Sequence, residues 1–465
     1  MVRLTGDGGS WIRGLSAIAL LSGALASSAC GGDDDDDVAD DVADDVGDDV
    51  GDDVADDDGS DDGAAMCDDD NGSITLPDGF CASVFADGLG AARHLTVTPS
   101  GVVLVAVADS DAGAGGVVAL LDTDADGIAD QTESFGDVGG NGIAWQDDAL
   151  FFAEDDQVLR YDLPDGELLP VGEPEVVVSG LPSDGDHINK TIVLDDGGNM
   201  LMNIGSATNA CQEANREPLS PGIDPCPELD IRAGVWSFAT DGVDQAPEDG
   251  EQIAEGLRNT VALALDPATD VLWGVQNGRD QLYDNWPDVY APEDEIALPG
   301  EAMFSIDTPG PYGWPYCYYD PFMATSVLAP EYGGDGVIVD ECADVEVPDY
   351  VFPAHWAPLG MMFYTGDQFP ERYLSGAFVA FHGSRFEPDA SGDLPGYNVS
   401  FLPFDGDAPA DGDYEVFADD FAGDERPLPD AAEHRPVGLA QGPDGALYIS
   451  DDYGGRIWRV IYVGP

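Results

Sequence analysis

From about residue 74 onward, short hydrophobic segments alternate with turns rich in Gly, Asp and Pro. The same arrangement returns six times: a small or charged residue, a hydrophobic segment, a turn and a second hydrophobic segment. The six copies begin at Arg93, Asn141, Asn189, Arg258, Pro358 and Arg435, with 48 to 100 residues between successive starts. Strand–turn–strand units at such spacing, with insertions of unequal length, are typical of the blades of a β-propeller.

Six copies predict an all-β fold, a six-bladed β-propeller that occupies residues 71–465 as one domain. The composition agrees, because 43% hydrophobic residues supply a large core, and 59 Gly and 33 Pro favour turn-rich β structure over a helical bundle. A pair of β-sandwiches is the alternative fold. It explains neither the recurring turn nor the polar residues at corresponding positions of the repeats.

The chain begins with the features of an export signal. Arg3 and Arg13 precede or flank a short apolar run that ends in small residues and then Cys30. This pattern predicts a secretory signal over residues 1–29, too short for a membrane span. Small residues directly before a cysteine resemble the lipobox of bacterial lipoproteins, which implies a periplasmic or cell-surface protein anchored only by lipid at Cys30. An ordinary secreted protein cut near Ala29 is the alternative.

Residues 30–70 form a low-complexity segment in which Asp-Asp-Val-Ala and Asp-Asp-Val-Gly recur, with 21 Asp between positions 33 and 70. Like charges at this density repel one another, so we expect a disordered linker. The rest of the chain is also acidic, with 72 acidic against 13 basic side chains, and the whole carries a net charge of −79. A field of this sign repels phosphate, which excludes nucleic acid and anionic membrane surfaces as electrostatic partners.

Seven cysteines are present, and setting Cys30 aside leaves six in an exported chain. Six cysteines in an oxidising compartment indicate three disulfides, for which 15 connectivities exist. Pairing sequence neighbours gives Cys67–Cys81, Cys211–Cys226 and Cys317–Cys342. The sequence contains no CxxC pair, so it gives no indication of a zinc site.

Polar residues stand just before or at the start of the predicted strands. In a propeller the innermost strands line a central channel, and polar groups from different blades meet at one mouth, which suits a small-molecule ligand. We therefore expect the chemistry of the protein among these positions. They are Arg93, His94, Asn141, His187, Lys190, Arg258, Asn259 and Arg435.

A further acidic segment has the spacing of a calcium loop. Asp122, Asp124 and Asp126 alternate, the backbone of Ile128 follows after a glycine, and Glu133 occupies the twelfth position. Alternate carboxylates direct oxygen atoms at one centre, and a distal Glu completes such loops. The segment predicts a structural calcium site, with an ordinary Asp-rich turn as the alternative.

Six short motifs resemble those of one known family. They are Leu76-Pro77-Asp78-Gly79-Phe80, Asp186-His187 with Lys190-Thr191, Gly256-Leu257-Arg258-Asn259, Asn277-Gly278-Arg279-Asp280, Tyr312-Gly313-Trp314-Pro315 and Pro436-Val437-Gly438. Together they resemble the glucose/sorbosone dehydrogenases, quinoproteins that use pyrroloquinoline quinone (PQQ) on a six-bladed propeller. The resemblance covers about residues 74–462.

The resemblance implies a role for each matching residue. His187 is the expected general base, and imidazole suits this role because its ordinary pKa is about 6.5. Arg258 is expected to act in catalysis and, with Asn259, to hold and polarise the quinone oxygens as they gain negative charge. A Ca²⁺ beside the cofactor is expected on the backbone carbonyls of Gly278 and Arg279.

The chain departs from the family at two points. The cofactor carboxylates usually meet a lysine and arginines of the last blades, but Lys190 is the only lysine here. Arg385 and Arg435 are therefore the expected partners of these carboxylates. Glucose-oxidising members carry an acid where this chain has Gly205-Ser206, which favours the sorbosone-like branch.

The expected function is PQQ- and Ca²⁺-dependent oxidation of a sugar, a sorbosone-like aldehyde or a polyol outside the cytoplasm. Electrons are expected to pass to a separate quinone or cytochrome, because the sequence has no CxxCH haem signature. Two alternatives remain open. One is a calcium-dependent hydrolase of the lactonase type, with Asn141 and Asn203 near the metal. The other is a cofactor-free propeller that binds carbohydrate or protein.

Overall fold

The computed structural model describes residues 67–110, 113–386, 395–423 and 431–464. The expected signal at 1–29, the lipidation site at Cys30 and nearly all of the linker at 30–70 lie outside the described residues. Among the residues that are described, no helix is long and apolar enough to cross a membrane.

Strands make up nearly all of the regular structure. In chain order they are β1 (Phe80–Ala86), β2 (Ala91–Val97), β3 (Val103–Ala108), β4 (Gly116–Leu121), β5 (Gln131–Phe135), β6 (Gly140–Gln146), β7 (Ala149–Glu154), β8 (Gln157–Asp162), β9 (Glu175–Ser179), β10 (Ile192–Leu194), β11 (Asn199–Ile204), β12 (Gly234–Ala239), β13 (Glu251–Glu255), β14 (Ala262–Leu265), β15 (Leu272–Gln276), β16 (Glu301–Ile306), β17 (Cys317–Asp320), β18 (Thr325–Leu328), β19 (Tyr350–Phe352), β20 (Pro358–Phe363), β21 (Gly376–Phe381), β22 (Asn398–Asp405), β23 (Ala408–Pro409), β24 (Glu415–Ala418), β25 (Pro436–Gln441), β26 (Leu447–Asp451) and β27 (Ile457–Tyr462).

The helical elements are short and lie between strands. Two α-helices, α1 (Leu282–Asn285) and α2 (Pro292–Ala297), connect β15 to β16. Single 3₁₀ turns cover Pro227–Asp230, Pro247–Asp249, Pro330–Tyr332, Asp340–Asp344 and Glu371–Tyr373.

Apart from the hairpin β17–β18 and the short β23, the strands of the described residues form six antiparallel sheets of four strands each, which we number as blades 1 to 6. From inside to outside these are β2-β3-β4-β5, β6-β7-β8-β9, β10-β11-β12-β13, β14-β15-β16-β19, β20-β21-β22-β24 and β25-β26-β27-β1. The innermost strands contact one another around a closed ring, from β2 through β6, β10, β14, β20 and β25 back to β2. The expected all-β, six-bladed propeller is confirmed.

Each sequence repeat corresponds to the two inner strands of a blade. The second strands are almost wholly apolar because both faces of the sheet are covered by neighbouring blades; β3 reads VLVAVA with five of six residues buried. The outer strands face solvent and are more polar, as in β5, which reads QTESF. This gradient explains why only the inner pair of each blade stands out in the sequence.

The ring closes by pairing the two ends of the domain. The N-terminal strand β1 is the outermost strand of blade 6, antiparallel to the C-terminal strand β27, with Phe80 opposite Tyr462 and Ala82 opposite Val460. Phe80 also makes edge-to-face contact with Tyr373 of blade 5, at 5.4 Å between ring centroids. The hydrophobic core thus lies between adjacent blades, and the closure joins chain ends far apart in sequence.

Two insertions account for the unequal spacing of the repeats. Residues 205–233 separate β11 from β12, and residues 307–349 separate β16 from β19 and contain the hairpin β17–β18. The Gly222 N–H donates to the Glu331 carbonyl, which joins one insertion to the other. Disulfides Cys211–Cys226 and Cys317–Cys342 lie within these insertions, and Cys67–Cys81 ties the start of the domain to β1. The pairing of sequence neighbours is therefore the pairing in the structure.

Candidate functional site

The starts of the innermost strands and the ends of the second strands meet at one face of the propeller, because the two strands of each pair are antiparallel. All five histidines of the sequence lie on or beside these strand ends: His94, His187, His355, His382 and His434. Two of these histidines, His94 and His187, are among the residues that sequence analysis expected at the channel mouth.

A cavity of about 210 Å³ opens at this face, between blades 3, 4 and 5. Its walls combine cationic, carboxylate and amide side chains with small residues that leave room for a ligand. The lining residues are His187, Arg258, Asn259, Asn277, Gly278, Asp280, Glu301, His355, Ala357, Gly383 and Arg385. Four of the expected site side chains, those of His187, Arg258, Asn259 and Arg385, are thus brought together with the Gly278 backbone.

His187 is held from one side by Ser206. Its Nδ1 lies 2.9 Å from the Ser206 carbonyl oxygen and 3.0 Å from the Ser206 Oγ, which itself donates to the Thr208 carbonyl. Both groups accept from Nδ1–H, so this network assigns the proton to Nδ1 and leaves Nε2 as the basic nitrogen. Burial, reinforced by Arg258, lowers the pKa of His187 to about 3, so the ring is neutral at ordinary pH.

Gly205 permits this arrangement. A Cβ at this position would lie 2.6 Å from the Cβ of His187 and 2.8 Å from the Oδ1 of Asn259. Contacts that close do not occur between real side chains, so only glycine lets these two residues approach each other. The place where glucose-oxidising relatives were expected to carry an acid is therefore closed to any side chain here.

Arg258 lies almost fully buried beneath the cavity. Its Nη2 donates to Asn209 Oδ1 at 3.0 Å and its Nη1 to the Asn277 carbonyl at 3.2 Å, while its own N–H donates to Gln276 Oε1. Burial lowers the pKa of Arg258 to about 10, which leaves the guanidinium charged. Next to it, the Oδ1 of Asn259 is buried and has no hydrogen-bond partner among the described residues. A buried acceptor without a donor is available to a molecule that enters this cavity.

Asp280 lies close to four basic side chains around the cavity. Its carboxylate oxygens lie 3.1 Å from Arg216 Nη1, 3.4 Å from Arg258 Nη2, 3.7 Å from His355 Nδ1 and 3.8 Å from Arg385 Nε. Burial alone would raise the pKa of Asp280, but Arg258, Arg216 and the other cations hold it well below its ordinary value. Arg216 also pairs with Asp186 and Arg385 also pairs with Glu295, so three guanidinium groups and three carboxylates form one charged network beside the cavity.

The backbone expected to bind calcium is fixed from two directions. The Gly278 N–H donates to Glu301 Oε2 at 2.7 Å. The Arg279 guanidinium turns away from the cavity and pairs with both oxygens of the buried Glu331. Arg279 is absent from the cavity lining, so any contribution it makes there comes from its backbone.

The two cations expected to meet cofactor carboxylates occupy different surroundings. Arg385 is half exposed at the cavity rim, where its Nη2 donates to Glu295 Oε1 at 2.9 Å. Arg435 stacks over the ring of Tyr397 at 5.4 Å and lies outside the cavity lining. The structure therefore places Arg385 at the candidate site and Arg435 beside it, in contact with an aromatic ring.

The remaining polar residues at the repeat starts link the blades. Arg93 Nε donates to Asn141 Oδ1 at 2.8 Å, and Asn141 Nδ2 donates to the Lys190 carbonyl at 3.0 Å. His94 Nε2 donates to the Leu359 carbonyl, and the Lys190 ammonium donates to backbone carbonyls, with burial lowering the pKa of Lys190 to about 8. These four positions hold the ring together and do not line the cavity.

The calcium-like loop brings together a different set of carboxylates from the one expected. Ligand atoms of Asp122, Asp124 and Asp130 lie within 4.8 Å of one another. Asp126 accepts the Ile128 N–H instead, and Glu133 lies on the exposed strand β5. Calcium at this loop stays a prediction.

Three lining residues were missed by sequence analysis as site residues. Asp280 was quoted as part of a motif without a role, His355 precedes the fifth repeat, and Glu301 follows two short helices that the pattern did not predict. A lone carboxylate after a long connection carries no local signal, because its approach to Gly278 depends on how the connection folds.

One known protein family matches most of this chain. Residues 74–462 match the family described as TrAA12-like. The chain belongs to the TrAA12-like family. The expected resemblance to glucose/sorbosone dehydrogenases covered the same residues, 74–462.

Two curated relatives match parts of this TrAA12-like chain. A pyrroloquinoline quinone-dependent sugar dehydrogenase of Hypocrea jecorina is 27% identical over 291 residues, 59% of this chain and 62% of the relative. An uncharacterized protein of Borreliella burgdorferi is 29% identical over 217 residues, 46% of this chain and 49% of the relative. The matches therefore span about half to three fifths of these relatives.

Solved structures share the fold over most of the chain. A Trichoderma reesei structure described as Carbohydrate-Active Enzymes Family AA12 has a TM-score of 0.65 at 20% identity, over 84% of this chain and 98% of that one. The holo form of the pyranose dehydrogenase PQQ domain from Coprinopsis cinerea has a TM-score of 0.64 at 20% identity, over 83% and 97%. At this level of identity the likeness shows the propeller fold alone.

Proposed function

We propose that this protein is a PQQ- and Ca²⁺-dependent dehydrogenase that oxidises a sugar, a sorbosone-like aldehyde or a polyol outside the cytoplasm. One observation carries the proposal: a neutral imidazole with a free Nε2 lines a cavity together with guanidinium groups and the unpartnered Asn259 Oδ1. Family membership and the sugar dehydrogenase among the relatives support the same chemistry.

The residues present fit the cofactor. PQQ is an anionic quinone with three carboxylate groups, and the guanidinium groups of Arg258 and Arg385 line the cavity. The buried Oδ1 of Asn259 has no hydrogen-bond donor among the described residues. Gly278 and the buried Glu301 supply oxygen atoms of the kind that Ca²⁺ prefers. Among these groups, Arg258 and Asn259 would hold the cofactor and Arg385 would meet a carboxylate at the rim. Arg435, which lies outside the cavity lining, remains a proposed partner of a cofactor carboxylate.

When bound, the cofactor supplies the acceptor for the two electrons and the hydrogen that leave the oxidised carbon of the substrate. The protein supplies the base. His187 Nε2 takes the hydroxyl proton, and Ser206 holds the ring so that this nitrogen stays unprotonated before the reaction. Arg258 stabilises negative charge that develops nearby, and its burial strengthens this effect because water does not screen it.

The setting of the enzyme is also part of the proposal. Three disulfides fit an oxidising compartment. We assign residues 1–29 as the export signal, Cys30 as the lipidated residue and residues 30–70 as a spacer before the domain at 71–465. Electrons leave to an external quinone or cytochrome.

No observation favours the lactonase-type hydrolase. That alternative needs Asn141 and Asn203 to turn oxygen atoms towards a metal. The Oδ1 of Asn141 accepts from Arg93 and the Oδ1 of Asn203 accepts from the Thr191 N–H. Both side chains therefore serve contacts between and within blades.

The test is a calorimetric titration of PQQ into the purified full chain with Ca²⁺ present, followed by dye reduction with a panel of aldoses, aldehydes and polyols. Saturable, Ca²⁺-dependent binding and a change in quinone absorbance on adding one substrate class would support the proposal. Failure to bind at roughly tens of micromolar would overturn it, because that affinity is weak for a resident cofactor. A propeller that binds carbohydrate without oxidising it would then be the better reading.

A further inference from the structure

Glu301 opens strand β16 and lines the cavity although it is only 2% exposed. Its Oε2 accepts the Gly278 N–H at 2.7 Å, and its Oε1 accepts the Ala357 N–H at 3.3 Å. Gly278 follows the second strand of blade 4, and Ala357 precedes the first strand of blade 5. The carboxylate therefore joins two blades directly beneath the cavity.

No basic group in the described part of the chain forms an ion pair with Glu301. The other buried glutamates of this region are paired, since Glu331 meets Arg279 and Glu295 meets Arg385. Burying a carboxylate is costly unless it is paired, and buried charges in proteins are paired or bind metals. Each oxygen of Glu301 accepts one hydrogen bond and keeps a second lone pair.

We propose that Glu301 is the carboxylate of a divalent-cation site in this cavity, and that its hydrogen bond to Gly278 fixes the neighbouring peptide oxygens for the same cation. The inference rests on the cation required by the proposed function and adds a ligand that is a side chain. Hard cations such as Ca²⁺ bind carboxylate and carbonyl oxygens together. The arginines of this region already pair with Asp280, Asp186 and Glu295, so a bound cation would balance the charge of Glu301.

A second buried carboxylate offers a matched comparison. Asp320 is 6% exposed, and its Oδ1 accepts the backbone N–H groups of Phe322 and Met323, likewise without a basic partner in the described residues. It lies in the hairpin β17–β18 and outside the cavity. Like Glu301, it is buried and accepts hydrogen bonds from two backbone N–H groups, but it does not line the cavity.

The experiment measures Ca²⁺ binding without PQQ, by calorimetry on the full chain stripped with chelator. All proteins carry Asp122→Asn and Asp124→Asn, so that the acidic loop of blade 1 does not contribute. Glu301→Gln is compared with the parent and with Asp320→Asn, and unfolding curves in chelator verify that each protein is folded. We expect Glu301→Gln to weaken Ca²⁺ binding at least about tenfold, the scale on which lost support of a metal site is felt. Asp320→Asn should leave it unchanged.

Equal Ca²⁺ affinity in the parent and Glu301→Gln would overturn the inference. Glu301 would then serve only to accept hydrogen bonds from the backbone of Gly278 and Ala357. Equal losses in both variants would overturn it as well, because burial rather than position would then be the cause. Absence of Ca²⁺ binding by the parent would also count against it.

A measurement on the unmutated chain covers the case in which Glu301→Gln does not fold. In a crystal soaked in Ca²⁺, we expect an ion about 2.3–2.6 Å from a Glu301 oxygen. A cavity without such an ion, or an ion bound elsewhere in it, would refute the inference. The PQQ titration is independent of these results, so a failed quinone proposal and a failed cation ligand are distinguishable.

Discussion

The Nδ1 of His187 lies 2.9 Å from the carbonyl oxygen of Ser206, so a neutral backbone group orients the candidate base. The carboxylate next in sequence, Asp186, instead accepts hydrogen bonds from Arg216 and Asn215. An acid behind an imidazole stabilises its protonated form, whereas a carbonyl fixes the tautomer with less stabilisation of charge. This base is therefore arranged to stay neutral until the substrate proton arrives.

Replacing His187 by Gln should lower turnover by about 10²–10⁴-fold, the usual contribution of a general base. Cofactor binding should persist, because Arg258 and Asn259 form the wall assigned to the quinone. The measurement is dye-linked oxidation alongside PQQ calorimetry on the same sample. Unchanged turnover, with the cofactor bound, would remove His187 from the reaction.

The pH dependence of stability provides a second prediction. The pKa of His187 is about 3 in the folded protein and about 6.5 in an unfolded chain, so the unfolded chain binds more protons between these values. The His187 contribution to stability is therefore complete above about pH 6.5 and is lost as the pH falls towards 3. Urea unfolding of the parent and His187→Gln across this range should show a smaller loss in the variant. Parallel curves would contradict the assigned neutral state.

A third prediction concerns the glycine beside the base. Gly205→Ala introduces a Cβ 2.6 Å from that of His187 and 2.8 Å from Asn259 Oδ1. The displaced groups should cost about 1–3 kcal/mol of stability and reduce turnover by roughly 10²-fold, because small shifts of a catalytic group are sufficient for such losses. Gly113→Ala is the matched control, since a Cβ there meets nothing within 4 Å. A Gly205→Ala protein as active as the Gly113→Ala control would show that this close approach is unimportant.

Much of the fold was predictable because each blade repeats one local pattern. The copies at Arg93, Asn141 and Arg258 correspond to the inner strand pairs of blades 1, 2 and 4. The outer strands were not predictable in the same way, since strands such as β5 are polar and lack alternation. The closure by β1 depends on pairing across the whole domain, which no local pattern encodes.

The candidate site was predictable mainly where residues belong to short motifs, although Arg385 was expected without one and Asp280 was missed within one. His187, Arg258 and Asn259 meet in one cavity as expected. Glu301 arrives by a connection through two helices, so its contact with Gly278 had no signal in the sequence.

Cationic residues at repeat starts were a poorer guide. Arg93 and Lys190 stand at positions equivalent to those of the site residues, yet they bond to other blades or to backbone carbonyls. A propeller needs polar groups at its channel both to bind ligands and to satisfy strand ends. The residue type alone does not distinguish these two uses.

The last prediction concerns the ion pair between Arg279 and Glu331, which lies beside the cavity next to Gly278. Arg279 and Glu331 are both buried, and Arg279 Nη2 donates to Glu331 Oε1 at 2.8 Å. Glu331→Gln leaves a buried guanidinium without its counter-charge, which should cost about 3–5 kcal/mol in urea unfolding. Glu175→Gln breaks the exposed pair with Arg160 and should cost less than about 1 kcal/mol. Because Arg279 adjoins Gly278, the first variant should also weaken Ca²⁺ binding to the cavity, whereas the second should not. Similar stability losses in the two variants would mean that Arg279 contacts solvent or another partner when Glu331 is replaced. The backbone at Gly278 would then not depend on this ion pair.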